Sequence, residues 1–324
     1  MTGSGDRKQQ VRDFLREHGW VTGDFTVAFL AAGEYNENYL VTSSARRAVF
    51  RINHGSQLNL DDQIGYEFGV LESVAPSGVT PLPIAVCSSH RSFPRGALLM
   101  SYIPGRHLDY NTDLPAAAEC FARVHSVAYE PKAGPLLVQA EPILDIVAEC
   151  RELLGRFDDH PLPDSGRIIR AYLERVLRLA DHASFAGESL CIVNTEVNSG
   201  NFLVADGHAR LVDWEKAVAS YRYQDLGHFL VPTTTLWKTD FLFDECTRRR
   251  FLQDYHEAAA PPVGLDELDE RTSLLEKTIL LRAFSWVYMA YVEYTSGARS
   301  LANSDTFATI QRYLSEIETF LEIE

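Results

Sequence analysis

The chain has 324 residues, of which 46% are hydrophobic and 23% charged, with 45 acidic against 30 basic side chains and a net charge of −15. That is enough apolar material for a sizeable core in one large or two moderate domains. An acidic surface repels phosphate backbones and anionic lipid heads, which argues against nucleic-acid or membrane partners. The five cysteines are odd in number, widely spaced and without a CxxC pair, against a disulfide framework or a zinc site. The polar start MTGSGDRKQQ carries no apolar signal core, and no apolar run is long enough to span a bilayer, so a cytoplasmic protein, monomer or homodimer, is expected.

Residues 1–8 read as a disordered tail, and helical spacing over 9–18 predicts a leading helix. Strand-like runs follow at Phe25–Leu30, Tyr39–Thr42 and Ala48–Ile52, with a turn-rich connection from Ala31 to Asn38 between the first two. The stretch 61–75 returns to helical periodicity, with Ile64, Phe68 and Leu71 on one face, and Pro76-Ser77-Gly78 ends it. Ile84–Ser88 and Ala97–Tyr102 read as strands, so the first part is a small α+β unit. After Pro104-Gly105 the pattern is helical, at 115–127, 140–157 and 166–182, and again near 245–259, 265–295 and 302–322. One strand–polar loop–strand segment, 191–213, interrupts it. The expected organisation is a tail and leading helix over 1–18, a β-rich lobe with one helix over 19–103, and a larger helical lobe over 104–324, with a ligand cleft between the lobes.

The polar loop is the informative segment. Asn194-Thr195-Glu196-Val197-Asn198-Ser199-Gly200-Asn201 puts one carboxylate and three side-chain amides between two apolar runs, and Asp213 follows at a strand end in Val212-Asp213-Trp214-Glu215. Oxygen donors of this kind, Asn201 and Asp213, suit Mg²⁺ with phosphate co-ligands. A spare carboxylate, Glu196, could accept a proton from a hydroxyl nucleophile. These are parts for phosphoryl transfer. The remaining parts can be sought upstream. The 30–39 connection, with Gly33 and Asn36, could cover phosphates; Arg51 on the following strand could bind them; Glu67 on the next helix could pair with Arg51.

In this order and spacing, the chain resembles the aminoglycoside phosphotransferase and choline-kinase-like group, over about residues 20–295. That group's loop reads H-G-D-x-x-x-x-N followed by an I/V-D-W/F-E strand end; here Asn194-Thr195-Glu196 stands in place of H-G-D, while Gly200-Asn201 and Val212-Asp213-Trp214-Glu215 keep the pattern. Asp225-Leu226-Gly227 resembles its D-L-A segment, Ala117–Val127 its L-x-x-L-H helix, and Leu98–Gly105 its inter-lobe hinge. The resemblance implies a two-lobed protein-kinase-like α+β fold and an ATP- and Mg²⁺-dependent small-molecule kinase. Glu196, Asn201 and Asp213 would be catalytic, with Asn201 and Asp213 on the metal. Gly33, Asn36, Arg51 and Glu67 would serve the phosphates, and the Ser101-Tyr102-Ile103 backbone the adenine. Asp225 would brace the loop from behind. The implied acceptor is a small polar molecule, cationic where it is an amino sugar or amino alcohol, and the acidic surface would suit such a cation.

Asn194 and Glu196 in place of His and Asp leave a second reading open, a nucleotide-binding pseudokinase working as a regulatory module, and a third, nucleotidyl transfer on the same scaffold. His125 and His228 read as satisfied core histidines, and the aromatic-rich stretch Phe284–Tyr294 as packed helix core. The polar segment Pro232–Asp240 follows the metal strand and is placed to face an acceptor.

Overall fold

A computed structural model describes residues 4–33, 35–130, 134–180, 185, 187–297 and 304–321. After helix α1 (Ser4–Glu17) come strands β1 (Phe25–Ala32), β2 (Asn36–Ser43) and β3 (Arg47–Asn53), helix α2 (Gln63–Val74), and strands β4 (Pro83–Cys87) and β5 (Ala97–Ser101). The five strands form one antiparallel sheet in the order β1-β2-β3-β5-β4.

Strand alternation decides what this sheet presents on each face. Ala48, Phe50 and Ile52 of β3, with Ala97 and Leu99 of β5, join the core formed by Val11, Phe14 and Leu15 of α1. Val49, Leu98 and Met100 join the opposite core, with Ile64, Val70, Leu71 and Val74 of α2. Arg51 is two residues from Val49, so it is delivered to the α2 face. The Asp62 side chain starts α2 by accepting from the Gly65 N–H at 2.9 Å.

The connection expected over 31–38 is much shorter. Both strands run into it, and only a tight turn remains, closed by the Gly33 N–H donating to the Asn36 carbonyl at 2.9 Å. Asn36 is therefore a buried strand residue and not a loop residue. In register, Asn36 stands opposite Asn53 and Asn38 opposite Arg51, so a polar ladder runs along the site face of β2 and β3.

Beyond the two-residue strand β6 (Arg106–His107) the chain is mainly helical: α3 (Leu114–His125), α4 (Pro142–Leu154), α5 (Pro163–Ala180), α6 (Tyr223–Leu230), α7 (Pro232–Thr235), α8 (Glu245–Ala259), α9 (Leu265–Thr295), α10 (Ser304–Ser315) and α11 (Ile317–Leu321). The long α9 is the spine, packed by α4, α5, α6, α8 and α10. Gly227 lets α6 lie close against it, since a Cβ there would sit 2.8 Å from the Glu276 nitrogen. Among the described residues, no helix is long and apolar enough to cross a membrane.

The segment 191–213 is not a simple hairpin. Strand β7 (Cys191–Val193) pairs with β10 (Val218–Ser220), while β8 (Phe202–Ala205) pairs with β6 and with β9 (His208–Leu211). The polar loop thus bridges two small sheets. Its ends are tied to different partners, and Asp213 lies in the return between them.

Candidate active site

Glu196, Asp213 and Glu215 present carboxylate oxygens within 4.8 Å of one another. The loop backbone that sets Glu196 is held from below. Asp225 at the start of α6 is fully buried, and its two oxygens accept the Asn194 and Thr195 N–H groups, each at 2.8 Å. His125 of α3 lies 3.3 Å from the same carboxylate and 2.9 Å from the Tyr255 hydroxyl. Asn194 is buried as well. Its amide donates to the Asp213 carbonyl at 2.8 Å and its Oδ1 accepts the Glu196 N–H at 3.0 Å, so one side chain spans both acidic segments. Thr195 and Asp213 both have φ of +65°, a left-handed conformation uncommon outside glycine and an outlier for the β-branched Thr195. Such positions persist where surrounding bonds over-determine them, and they gather at functional sites.

Asn201 donates through Nδ2 to the Glu196 carbonyl at 2.6 Å, and its Oδ1 accepts no hydrogen bond from the described residues. Arg51 reaches across from β3. It contacts Glu67 at 2.5 Å, Asp213 at 2.9 Å and the Asn38 amide oxygen at 3.0 Å. Burial works against its charge, but Glu67, Asp213 and Glu215 outweigh burial and hold the guanidinium above its ordinary pKa. Burial pushes the Glu67 carboxyl up in spite of Arg51. Glu215 is pushed up to about 8, first by burial and then by Asp213 beside it. Glu196, Asp213 and Glu215 bring carboxylate oxygens close enough to share one cation, and all-oxygen donors fit Mg²⁺ or Ca²⁺.

The other expected contributors are placed as follows. Asn36 is bound by Glu215, by donating its amide to Oε2, and by Asn53 at 3.0 Å, so its polar atoms are engaged inside the protein. Gly33 is at the hairpin turn and lines the main cleft. Ser101 closes β5, with its hydroxyl accepting the Leu82 N–H at 2.8 Å; the Tyr102 ring stacks under the Arg47 guanidinium at 4.0 Å; Ile103 is buried.

The cleft holds about 1140 Å³ and runs from Gly33, Gln57 and Glu196 to the wall of α9. Thr233, Thr234, Trp237 and Lys238 line it, as do Trp286, Val287 and Tyr294, whereas Phe284 is in the core. The aromatic stretch is therefore divided between core and cleft wall, because a helix turns its residues to both sides. His228 also faces the cleft, so it is not a core histidine of the kind His125 is. The sequence alone assigns no role to Glu215, Lys216 or Asn38. Glu215 was visible in Asp213-Trp214-Glu215, and Asn38 could be reached only through strand register. Nothing local marks Lys216, which lies 3.4 Å from Glu196.

Residues 26–270 match the phosphotransferase enzyme family, and the chain belongs to that family. It is a phosphotransferase. Comparison with curated protein sequences gives no significant match. Among solved structures, the fold is similar to that of a choline kinase from Cryptosporidium parvum Iowa II (15% identity, 97% of this chain and 96% of that one, TM-score 0.61). It is similar also to a Plasmodium vivax ethanolamine kinase (11%, 99% and 98%, TM-score 0.66). A third is the amicoumacin kinase in complex with AMP-PNP and Ca²⁺ (16%, 98% and 96%, TM-score 0.66). The likeness establishes the two-part protein-kinase-like α+β architecture.

Proposed function

We propose that the protein transfers the γ-phosphoryl group of ATP to a hydroxyl of a small polar molecule. The observation that carries this is the convergence of Arg51, Glu67, Asp213, Glu215 and Glu196 where the sheet meets the helical part. An AMP-PNP and Ca²⁺ complex of a protein with this fold is consistent with it. In this reading the part before residue 104 holds the nucleotide. The Ser101–Ile103 backbone meets the base, Arg51 the phosphates, and the Gly33 turn closes over them; Asn36, engaged by Glu215 and Asn53, braces the acidic segment instead.

Asp213 and Asn201 would hold Mg²⁺, with Glu215 next to them. The ion would neutralise charge on the phosphate oxygens. Glu196 orients the acceptor hydroxyl and takes its proton; the hydroxyl oxygen bonds to the γ-phosphorus, the bond to the β–γ bridging oxygen breaks, and ADP leaves. Glutamate is one methylene longer than aspartate, and the Asn194 bond to the Glu196 N–H sets the backbone from which that reach is measured. A pseudokinase would have no need of a braced and strained loop presenting a carboxylate to a large cleft.

Calorimetry tests the reading. ATP binding that requires both a divalent cation and Asp213, and that is lost in Asp213→Ala, is the expected result. Wild-type protein silent to Mg-ATP and Mg-GTP would overturn it.

A further inference from the structure

The chain carries a large negative charge, yet its main cleft does not. The ionisable walls are Arg156, Lys216, Lys238 and Arg282 against Glu149, Glu196 and Glu293, so cations outnumber anions there. The acidic members are already matched. Glu293 pairs with Arg156 at 3.2 Å and Glu196 with Lys216 at 3.4 Å. Among the described residues, Glu149 is matched only to Arg282, at 3.9 Å, and the two ends of that contact differ: the glutamate side chain is 45% exposed and the arginine 13%. A contact that long, with one end in water, contributes little. Arg282 is thus a largely buried guanidinium, fork-shaped and weakly satisfied. Lys238, exposed on the same cleft, makes no ion pair with any described residue.

His228 is next to them. Its Nδ1 is buried and has no hydrogen-bond partner among the described residues. Burial, then Arg282 and then Lys216 hold its imidazole well below the ordinary histidine range, which puts both cations in its neighbourhood. A neutral imidazole has a single N–H, and the Thr195 backbone engages this ring, so His228 adds no charge to the wall. Trp237 and Trp286, with ring centroids 6.0 Å apart, form an apolar wall beside this group. An aromatic wall with unmatched carboxylates would suit a protonated or quaternary amine. Here the wall is interleaved with cations, which repel one.

We infer that the acceptor carries an anionic group, a carboxylate or a phosphate, in addition to its reactive hydroxyl, and that Arg282 and Lys238 bind that group while the tryptophans cover an apolar portion. This rests on the phosphotransferase reading above and names its acceptor class. A guanidinium fork matches either anion in a two-bond contact. The hydroxyl would then lie at the Glu196 end of the cleft and the anion against α6 and α9.

The test uses four matched compounds that keep the same secondary hydroxyl: 3-phenyllactate, 3-phenylpropane-1,2-diol 1-phosphate, the neutral amide of phenyllactate, and the ammonium analogue 1-amino-3-phenylpropan-2-ol. Affinity for each is measured calorimetrically with Mg-AMP-PNP already bound. The anionic pair is expected to bind at least about tenfold more tightly than the amide and the ammonium compound, with the stronger of the two identifying the anion. Arg282→Gln should remove most of that difference. Lys238→Gln, at an exposed position that does not endanger folding, should reduce it, and both variants should keep wild-type affinity for Mg-AMP-PNP. Normal nucleotide binding with no preference for the anions, a preference for the ammonium compound, or no binding of any of the four overturns the inference and leaves the phosphotransferase reading in place. Failure of the wild type to bind Mg-AMP-PNP removes both.

Discussion

The two ends of the site are built on opposite terms. At the sheet end, charges are buried, close and shared: Arg51 alone serves Glu67 and Asp213, at 2.5 and 2.9 Å. At the helical end, the pairs are longer, at 3.2 Å for Arg156 with Glu293 and 3.9 Å for Arg282 with Glu149, and border an open cleft of about 1140 Å³. A tight, interlocked cluster fixes one geometry, because moving any member strands its buried partners. A roomy cleft with loosely matched charges can change its occupant without disturbing the fold. The difference teaches where constraint lies in such a molecule: on the proposed reading, the cluster would set the chemistry, and a separate wall that can vary around it would set the choice of acceptor.

This contrast breaks first if the cluster can be altered cheaply. The largest effect is expected at Glu196, where Glu196→Gln should lower turnover by about 10²–10⁴-fold with ATP affinity nearly unchanged, as for removal of a base. Steady-state kinetics on the acceptor found by screening, paired with nucleotide titration, checks both halves. Unchanged turnover would remove Glu196 from the chemistry. Next is Asp225, the buried brace. Asp225→Ala leaves the Asn194 and Thr195 N–H groups and His125 without their carboxylate, and a stability loss of about 3 kcal/mol is expected by denaturant unfolding. A loss under about 0.5 kcal/mol, the range of ordinary surface substitutions, would show that the loop holds itself.

A smaller effect is expected from pH. Burial holds the His125 imidazole below the usual 6.5, although Asp225 pulls the other way. Native His125 therefore stays neutral where the unfolded chain already binds a proton. Its contribution is complete above pH 6.5 and is lost as pH falls below that value, with a slope of at most about 1.4 kcal/mol per pH unit. Denaturant midpoints at pH 7.5 and 5.5 should converge in His125→Asn relative to wild type; parallel curves would mean that other groups carry the acid sensitivity.

Much of this architecture is legible in the residues. Alternation in Ala48–Ile52 fixes which side of the sheet Arg51 takes, and helical periodicity locates 245–259 and 265–295 where α8 and α9 run. What escapes is non-local. Asn36 reads as a loop residue because asparagine is a poor strand former, and only its contacts with Glu215 and Asn53 outweigh that preference. The pairing of β7 with the three-residue β10 leaves no periodic signal in so short a run. Helical spacing shows that Phe284 and Trp286 lie on different sides of α9, but not which side is core and which is cleft.

That last ambiguity gives the smallest and sharpest test of the contrast. Trp237 lies in the cleft wall, between Trp286 at 6.0 Å and Tyr313 at 6.2 Å, and none of the charged cluster touches it through an aromatic or cation–π contact among the described residues. Truncating it removes apolar surface from the cleft wall, together with part of its packing on Tyr313. Trp237→Ala should raise the acceptor KM about tenfold and leave the ATP KM and kcat within about twofold, the pattern for loss of binding energy that ground state and transition state share. A fall in kcat with unchanged acceptor KM would mean that the cleft wall acts in the transition state. The two ends of the site would then be one coupled device, and acceptor choice could not drift independently of the chemistry.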